Sequence, residues 1–180
     1  MLYKKPTNID GVYEIRADVL KDNRGQFTKI MHEEWLMNIG IPNVYGEEYC
    51  SVSHKRVLRG MHFQKPPYDH AKLVYCAYGE ILDVAVDLRK GSSTFGKYAS
   101  VVLSHTKGNM TYIPTGFAHG FYTLSDIAVV MCKQSSVFNQ EADAGICWDS
   151  LGIEWPEHNP ILSKKDENNI TFNEFESPFI

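Results

Sequence analysis

In the run Leu58-Arg59-Gly60-Met61-His62-Phe63-Gln64 a histidine stands just beyond a glycine, and Lys72 follows ten residues after that histidine. A side chain that titrates near neutral pH, placed with a permanent cation, is what proton abstraction next to a carbonyl requires. The base takes the proton and the cation steadies the enolate oxygen. Isolated histidines and lysines also occur as satisfied structural groups, so the pair gains meaning only from the elements that position it.

Those elements read as strands. The His62 run itself reads as a strand edge, and Leu73 to Tyr78 and Ile81 to Leu88 are apolar runs separated by Gly79-Glu80, a hairpin or tight turn. In the second run Leu82, Val84, Val86 and Leu88 share one face while Asp83, Ala85 and Asp87 share the other. The period leaves open which face is inside. Asp83 is either an inward carboxylate that needs a histidine or lysine partner, or a solvent-facing group on an edge strand. Tyr98 to Leu103, Met110 to Ile113, Gly120 to Leu124 and Ala128 to Gln134 are further short strands, divided by turn clusters such as Lys90-Gly91-Ser92-Ser93 and Pro114-Thr115-Gly116. Helix is expected over Glu33 to Asn38 and in a short segment after Ser163. Many short strands at near-even spacing predict an all-β sandwich or barrel, able to hold a ligand in its mouth or interior.

The chain of 180 residues supports one domain, 1–180, with a real core. A net charge of −4 without a basic run argues against nucleic acid as a partner. No segment approaches the apolar length of a membrane span, and Met1 to Pro6 lacks the apolar core of a signal peptide, so a cytoplasmic protein is expected. Cys50, Cys76, Cys132 and Cys147 form no CxxC pair, and three lie in apolar or strand-like surroundings, as reduced core thiols do.

The motifs also occur in a familiar order. Arg24-Gly25 after Asp22, the Leu58 to Gln64 run, and Asp83 to Gly96 come first. Ile113-Pro114-Thr115-Gly116-Phe117-Ala118-His119-Gly120-Phe121, Leu151 to Pro156 and Leu162-Ser163-Lys164-Lys165-Asp166 follow. From about residue 10 to about residue 170 this series resembles the dTDP-4-dehydrorhamnose 3,5-epimerase family. The resemblance implies a cupin-type jelly-roll barrel with a few short helices, a homodimer, no metal and no organic cofactor. It also implies a nucleotide-linked 4-keto-6-deoxy sugar that loses a proton at C3, and in most members at C5, and regains one on the opposite face. His62 matches the family's base, Asp166 the carboxylate behind it, and Lys72 the cation for the C4 oxygen. Arg59, and Arg24 from the neighbouring subunit, match contacts to the sugar nucleotide. Gln64, His119 and Asp83 match polar pocket positions. Elementary chemistry agrees: a carboxylate raises a histidine's basicity and fixes its tautomer, and arginine suits phosphate oxygens. Gly25 and Gly60, where backbone can approach a ligand closely, favour ligand contact over a surface salt bridge for the two arginines.

Two departures stand out. The family's tyrosine, the acid opposite the histidine, falls at Phe138, which keeps the shape but cannot donate a proton. If that tyrosine serves only the C5 inversion, its loss predicts an enzyme that inverts C3 alone. Another hydroxyl, such as Tyr122, is a second possibility, and an impaired enzyme or a binder a third. Secondly, Glu47 and Tyr49 stand where thymidine-specific relatives show Gln and Asn, and Lys29 where Glu is common. A carboxylate accepts paired hydrogen bonds from the N–H face of guanine, which thymine lacks. The pattern looks like relatives acting on GDP-4-keto-6-deoxyheptoses in capsule biosynthesis, so inversion at C3, with C5 open, of such a sugar is expected. The alternatives are a dTDP-4-keto-6-deoxyglucose 3,5-epimerase of rhamnose biosynthesis and a non-catalytic sugar-nucleotide-binding cupin. A metal-dependent cupin is the enzymatic rival, but His62-Phe63-Gln64 lacks the second histidine of an HxH pair, and His70, Glu80 and His119 are poorly spaced.

Overall fold

Alternating short runs of apolar and polar residues give this chain its antiparallel strands, seen in a computed structural model that describes residues 1–180. One sheet has the order β1 (Leu2–Pro6), β2 (Tyr13–Ala17), β10 (Asn109–Ile113), β7 (Lys72–Tyr78), β12 (Ile127–Gln134), β5 (Glu47–His54). The facing sheet has the order β13 (Asp143–Gly145), β6 (Leu58–Gln64), β11 (Phe117–Thr123), β8 (Glu80–Asp87), β9 (Tyr98–Ser104). The strands β3 (Val19–Asp22) and β4 (Gly25–Thr28) form a separate hairpin. Neighbours in space are mostly not neighbours in sequence, which is the jelly-roll way of closing two sheets on one core. No helix is long and apolar enough to cross a membrane.

Three apolar layers follow from the strand period. Val74, Cys76, Ala85, Leu103, Phe121 and Val130 meet between the sheets. On the outer face of the smaller sheet, Val84, Val86 and Leu88 are covered by Ile146, Leu151 and Phe179 of the C-terminal segment. Outside the larger sheet, Leu73 and Met110 are covered by Leu36 of α1 (Glu33–Asn38) and by Ile41. Central strands thus carry apolar residues on both faces, and β8 reads as a nearly continuous hydrophobic run for that reason. The inward face of β8 is the one with Asp83 and Ala85, which settles the open question: Asp83 is 2% exposed and paired with a histidine.

Of the two forms expected at Gly79, hairpin or tight turn, the structure shows the tight turn, a corner between sheets rather than a hairpin, since β7 and β8 belong to different ones. Gly79 holds φ +81°, and a Cβ there would lie 2.2 Å from the Ile127 carbonyl oxygen, so only glycine makes this turn. The cysteines also divide differently than expected. Cys76 and Cys132 are buried thiols, whereas Cys50 is exposed on β5 and Cys147 half-buried.

Beyond β8 the loop is held by Asp87, which is fully buried. It accepts hydrogen bonds from the Arg89 side chain and backbone, from Ser92 Oγ at 2.5 Å and from Thr94 Oγ1 at 2.6 Å. Burial alone would raise its pKa, but these donors bring it down to about 2. A carboxylate held below its unfolded value stabilises the fold above the ordinary carboxylate range and stops doing so as pH falls toward about 2. Asp87→Asn is therefore expected to cost about 2 kcal/mol at pH 7 in urea unfolding. The gap should close as the medium is acidified; an equal gap at every pH would assign the effect to shape rather than charge.

Candidate active site

The two sheets leave a cavity of about 430 Å³ between them, open at one end. On the larger sheet, hydrogen-bonded register places Lys72 beside Gln134 and Gln134 beside Glu47 in one inward row. The next inward row is Val74, Cys132 and Tyr49. On the facing sheet His62 pairs with His119, and Asp83 pairs with Phe121. Period-two alternation therefore brings a lysine and a phenol to one wall and two histidines to the other.

His62 Nε2 lies 2.5 Å from Asp166 Oδ1. Asp166 is 2% exposed and sits in the first turn of α2 (Lys164–Glu167), where Ser163 caps the helix by accepting the Asp166 N–H. Burial pushes the Asp166 carboxyl up, but the His62 hydrogen bond and charge, the Ser163 hydroxyl and Lys165 hold it below its ordinary value. An ionised carboxylate on Nε2 keeps the proton on that nitrogen and leaves Nδ1 as the basic one. Lys72 is almost fully buried, and its Nζ donates to the His62 backbone carbonyl oxygen at 3.5 Å, which places the cation beside the His62 backbone. Burial lowers the Lys72 pKa, against the pull of Cys132, Asp83 and Asp143.

A second, deeper pair backs this wall. His119 Nε2 is 2.6 Å from Asp83 Oδ1, both are buried, and Asp83 Oδ2 has no protein partner. Burial lowers the His119 pKa in spite of Asp83. Of the expected residues, Glu47, Tyr49, Arg59, His62, Gln64, Lys72, His119, Phe138 and Asp166 line the one cavity, with Asp83 just behind His119. Arg59 is held by Ser53 Oγ at 3.0 Å and by the Val52 carbonyl. Phe138 contributes its ring, and its backbone N–H donates to Glu47 Oε2 at 2.9 Å.

Several expectations change on this geometry. Gln64 commits both amide N–H groups and one lone pair of its oxygen to the protein. Its Nε2 donates to the Tyr68 carbonyl and contacts His70 Nδ1, and its Oε1 accepts the Asn139 N–H, so it clamps two loops together. Arg24, expected to reach a neighbouring subunit's site, lies outside its own chain's cavity on the β3–β4 hairpin, solvent-exposed and paired with Asp22. Gly60 serves chain packing, because a Cβ there would lie 2.5 Å from the Gly120 Cα on β11. Tyr122, the suggested substitute hydroxyl, is on the outward face of β11 near Glu157 and Arg56. His70 was missed as a cavity residue. Burial, then Lys72 and His119, press its pKa down to about 3, so it is neutral, and its buried Nε2 has no protein partner. Its signal was parity, two residues before Lys72. No three His, Cys, Asp or Glu side chains converge as metal ligands.

A carboxylate-backed histidine facing a dry ammonium inside a jelly roll is equipped to form and hold an enolate, which defines an isomerase of the epimerase class. The comparisons give that class a family. The family model described as dTDP-4-dehydrorhamnose 3,5-epimerase matches residues 6–174. A protein of that name in Escherichia coli (strain K12) is 41% identical over 172 residues, covering 93% of each chain. The crystal structure of dTDP-6-deoxy-D-glucose-3,5-epimerase RmlC from Legionella pneumophila Philadelphia 1, in complex with dTDP-4-keto-L-rhamnose, superposes with a TM-score of 0.92 at 34% identity. It covers 98% of this chain and 95% of its own. ChmJ, a 3′-monoepimerase from Streptomyces bikiniensis solved with dTDP-quinovose, superposes with a TM-score of 0.85 at 30% identity over 92% of this chain and 86% of its own. The chain belongs to the dTDP-4-dehydrorhamnose 3,5-epimerase family and is a nucleotide-sugar epimerase.

Proposed function

We propose that the protein inverts C3, and not C5, of a nucleotide-linked 4-keto-6-deoxy sugar. The observation that carries the reading is the convergence of the His62–Asp166 pair and buried Lys72 on one cavity whose tyrosine position holds Phe138. His62 Nδ1 takes the C3 proton, and Lys72 meets the charge that develops on the C4 oxygen. Water exclusion strengthens that contact. The jelly roll hosts both outcomes among its relatives, since one solved neighbour is a 3,5-epimerase and another a 3′-monoepimerase. Choice between C3 alone and both carbons therefore falls to individual side chains rather than to the fold.

For the nucleotide, dTDP is the first reading. The solved neighbours hold dTDP sugars, and one Glu47 oxygen is engaged by the Phe138 N–H rather than open to a base. GDP-4-keto-6-deoxyheptose is the second, favoured by the carboxylate at Glu47 and its remaining oxygen. We place the enzyme as a homodimer in which Arg24 reaches a neighbour's sugar nucleotide. Support comes from the exposed hairpin with Leu20 and Phe27 and from the unpaired outer edge of β5.

The test is solvent exchange in D₂O with dTDP- and GDP-linked 4-keto-6-deoxy sugars, read by NMR and mass spectrometry. Inversion at C3 alone is expected from the product stereochemistry, and Phe138→Tyr is expected to add inversion at C5. Inversion at both carbons in the unaltered protein would defeat the C3-only reading, and the nucleotide that supports turnover decides between the two readings above.

A further inference from the structure

Inversion through an enolate needs a proton source on the side away from the base, and Phe138 has no proton to give. We propose that the Tyr49 hydroxyl is the acid that returns a proton to C3 from the wall facing His62. The inference rests on the epimerase reading above.

Placement is the first argument. Tyr49 is on β5 of the larger sheet and His62 on β6 of the smaller, and both line the same cavity. Facing sheets stand about 10 Å apart, which leaves room for a sugar ring between the two side chains. In register with Cys132, an inward and buried residue, Tyr49 extends over that thiol and beside the Gln134 side chain. Tyr49 as a whole is 38% exposed, so it stands at the open side of the cavity where solvent can reach its ring.

Chemistry is the second. Tyr49 is the one phenol lining the cavity. Ser51 also lines it, with an unpartnered buried hydroxyl, but an alkanol is a far weaker acid than a phenol. Burial pushes the Tyr49 pKa up and keeps the proton in place between turnovers, while the Gln134 side chain favours the phenolate that follows transfer.

The step balances without a further reagent. His62 Nδ1 takes the C3 proton, the C–H electron pair becomes the C3=C4 bond, and the carbonyl pair moves to the C4 oxygen beside Lys72. The enolate then takes the Tyr49 proton at C3 from the other side, and the ketone re-forms. Tyr49 is left as phenolate and His62 with an extra proton, and exchange with solvent at the cavity mouth resets both.

The experiment follows exchange and inversion separately in D₂O with the nucleotide sugar the unaltered protein accepts. In Tyr49→Phe, His62 still removes the proton and returns a deuteron to the same face. Wash-in at C3 is therefore expected to stay within about threefold, while inverted product falls at least 100-fold. Retained wash-in at C3 is the control for folding, since a misfolded protein would lose exchange together with inversion. Inversion kept within about threefold in Tyr49→Phe overturns the proposal, and so does loss of exchange and inversion together in a variant whose circular dichroism and thermal midpoint match those of the unaltered protein. If the unaltered protein exchanges no C3 proton with any substrate, the epimerase reading itself fails, and this inference with it.

Discussion

His62→Asn is expected to lower turnover and C3 proton exchange by at least about 1,000-fold while leaving nucleotide binding nearly intact. Asparagine cannot accept a proton at working pH, so enolate formation loses its base. It keeps an amide N–H on the side of Asp166, which spares that buried carboxylate a complete loss of partners. Arg59 is held by Ser53 and the Val52 carbonyl rather than by His62, so if it binds the nucleotide as proposed, calorimetric affinity for the free nucleoside diphosphate should change by less than about threefold. Stability should respond with a definite sign. Asp166 is held below its ordinary value partly by His62, so its contribution is present above the usual carboxylate range and is lost as pH falls through the lowered value. In the variant that loss should begin at a higher pH. Near-normal turnover would show that the base is another residue.

The second large effect is expected from Lys72→Met, with turnover down about 100- to 1,000-fold, the usual effect of removing one preorganised donor to a developing oxyanion. Methionine matches the length and apolar stem of lysine but brings no charge. Burial disfavours the Lys72 ammonium in the fold, which lowers its pKa. A lysine depressed in this way weakens the fold at neutral pH, and the penalty disappears only as pH rises toward the ordinary lysine range. Removing the buried charge should therefore leave the thermal midpoint unchanged or raise it, while Asp83 loses a nearby cation and offsets part of the gain. Activity and stability moving in opposite directions is the signature of a group kept for transition-state charge. A variant that lost both in parallel would place Lys72 in the framework instead.

Much of this was legible in the chain. Alternation along Ile81 to Leu88 and Ala128 to Gln134 announced strands to within a residue or two, and Ser163 followed by a polar run announced α2. Strand β5 went unread because Glu47 to His54 is half exposed and weakly apolar. Hairpin and corner stayed open at Gly79 because a tight turn looks the same in sequence whether it joins two strands of one sheet or passes between sheets.

The site divides along the same line. The amino-acid sequence by itself determined the all-β class, since residue type and period are local properties, while the grouping of His62, Lys72 and Asp166 and the meaning of Phe138 came from the order of motifs shared with the family. Only the tertiary structure decided which strand faces turn inward. Asp83 became a buried partner of His119, Gln64 a loop clamp, Tyr122 an outward residue and Tyr49 a phenol lining the same cavity as His62. A period of two says which side chains share a face, and only the packing of one sheet on another says what that face meets.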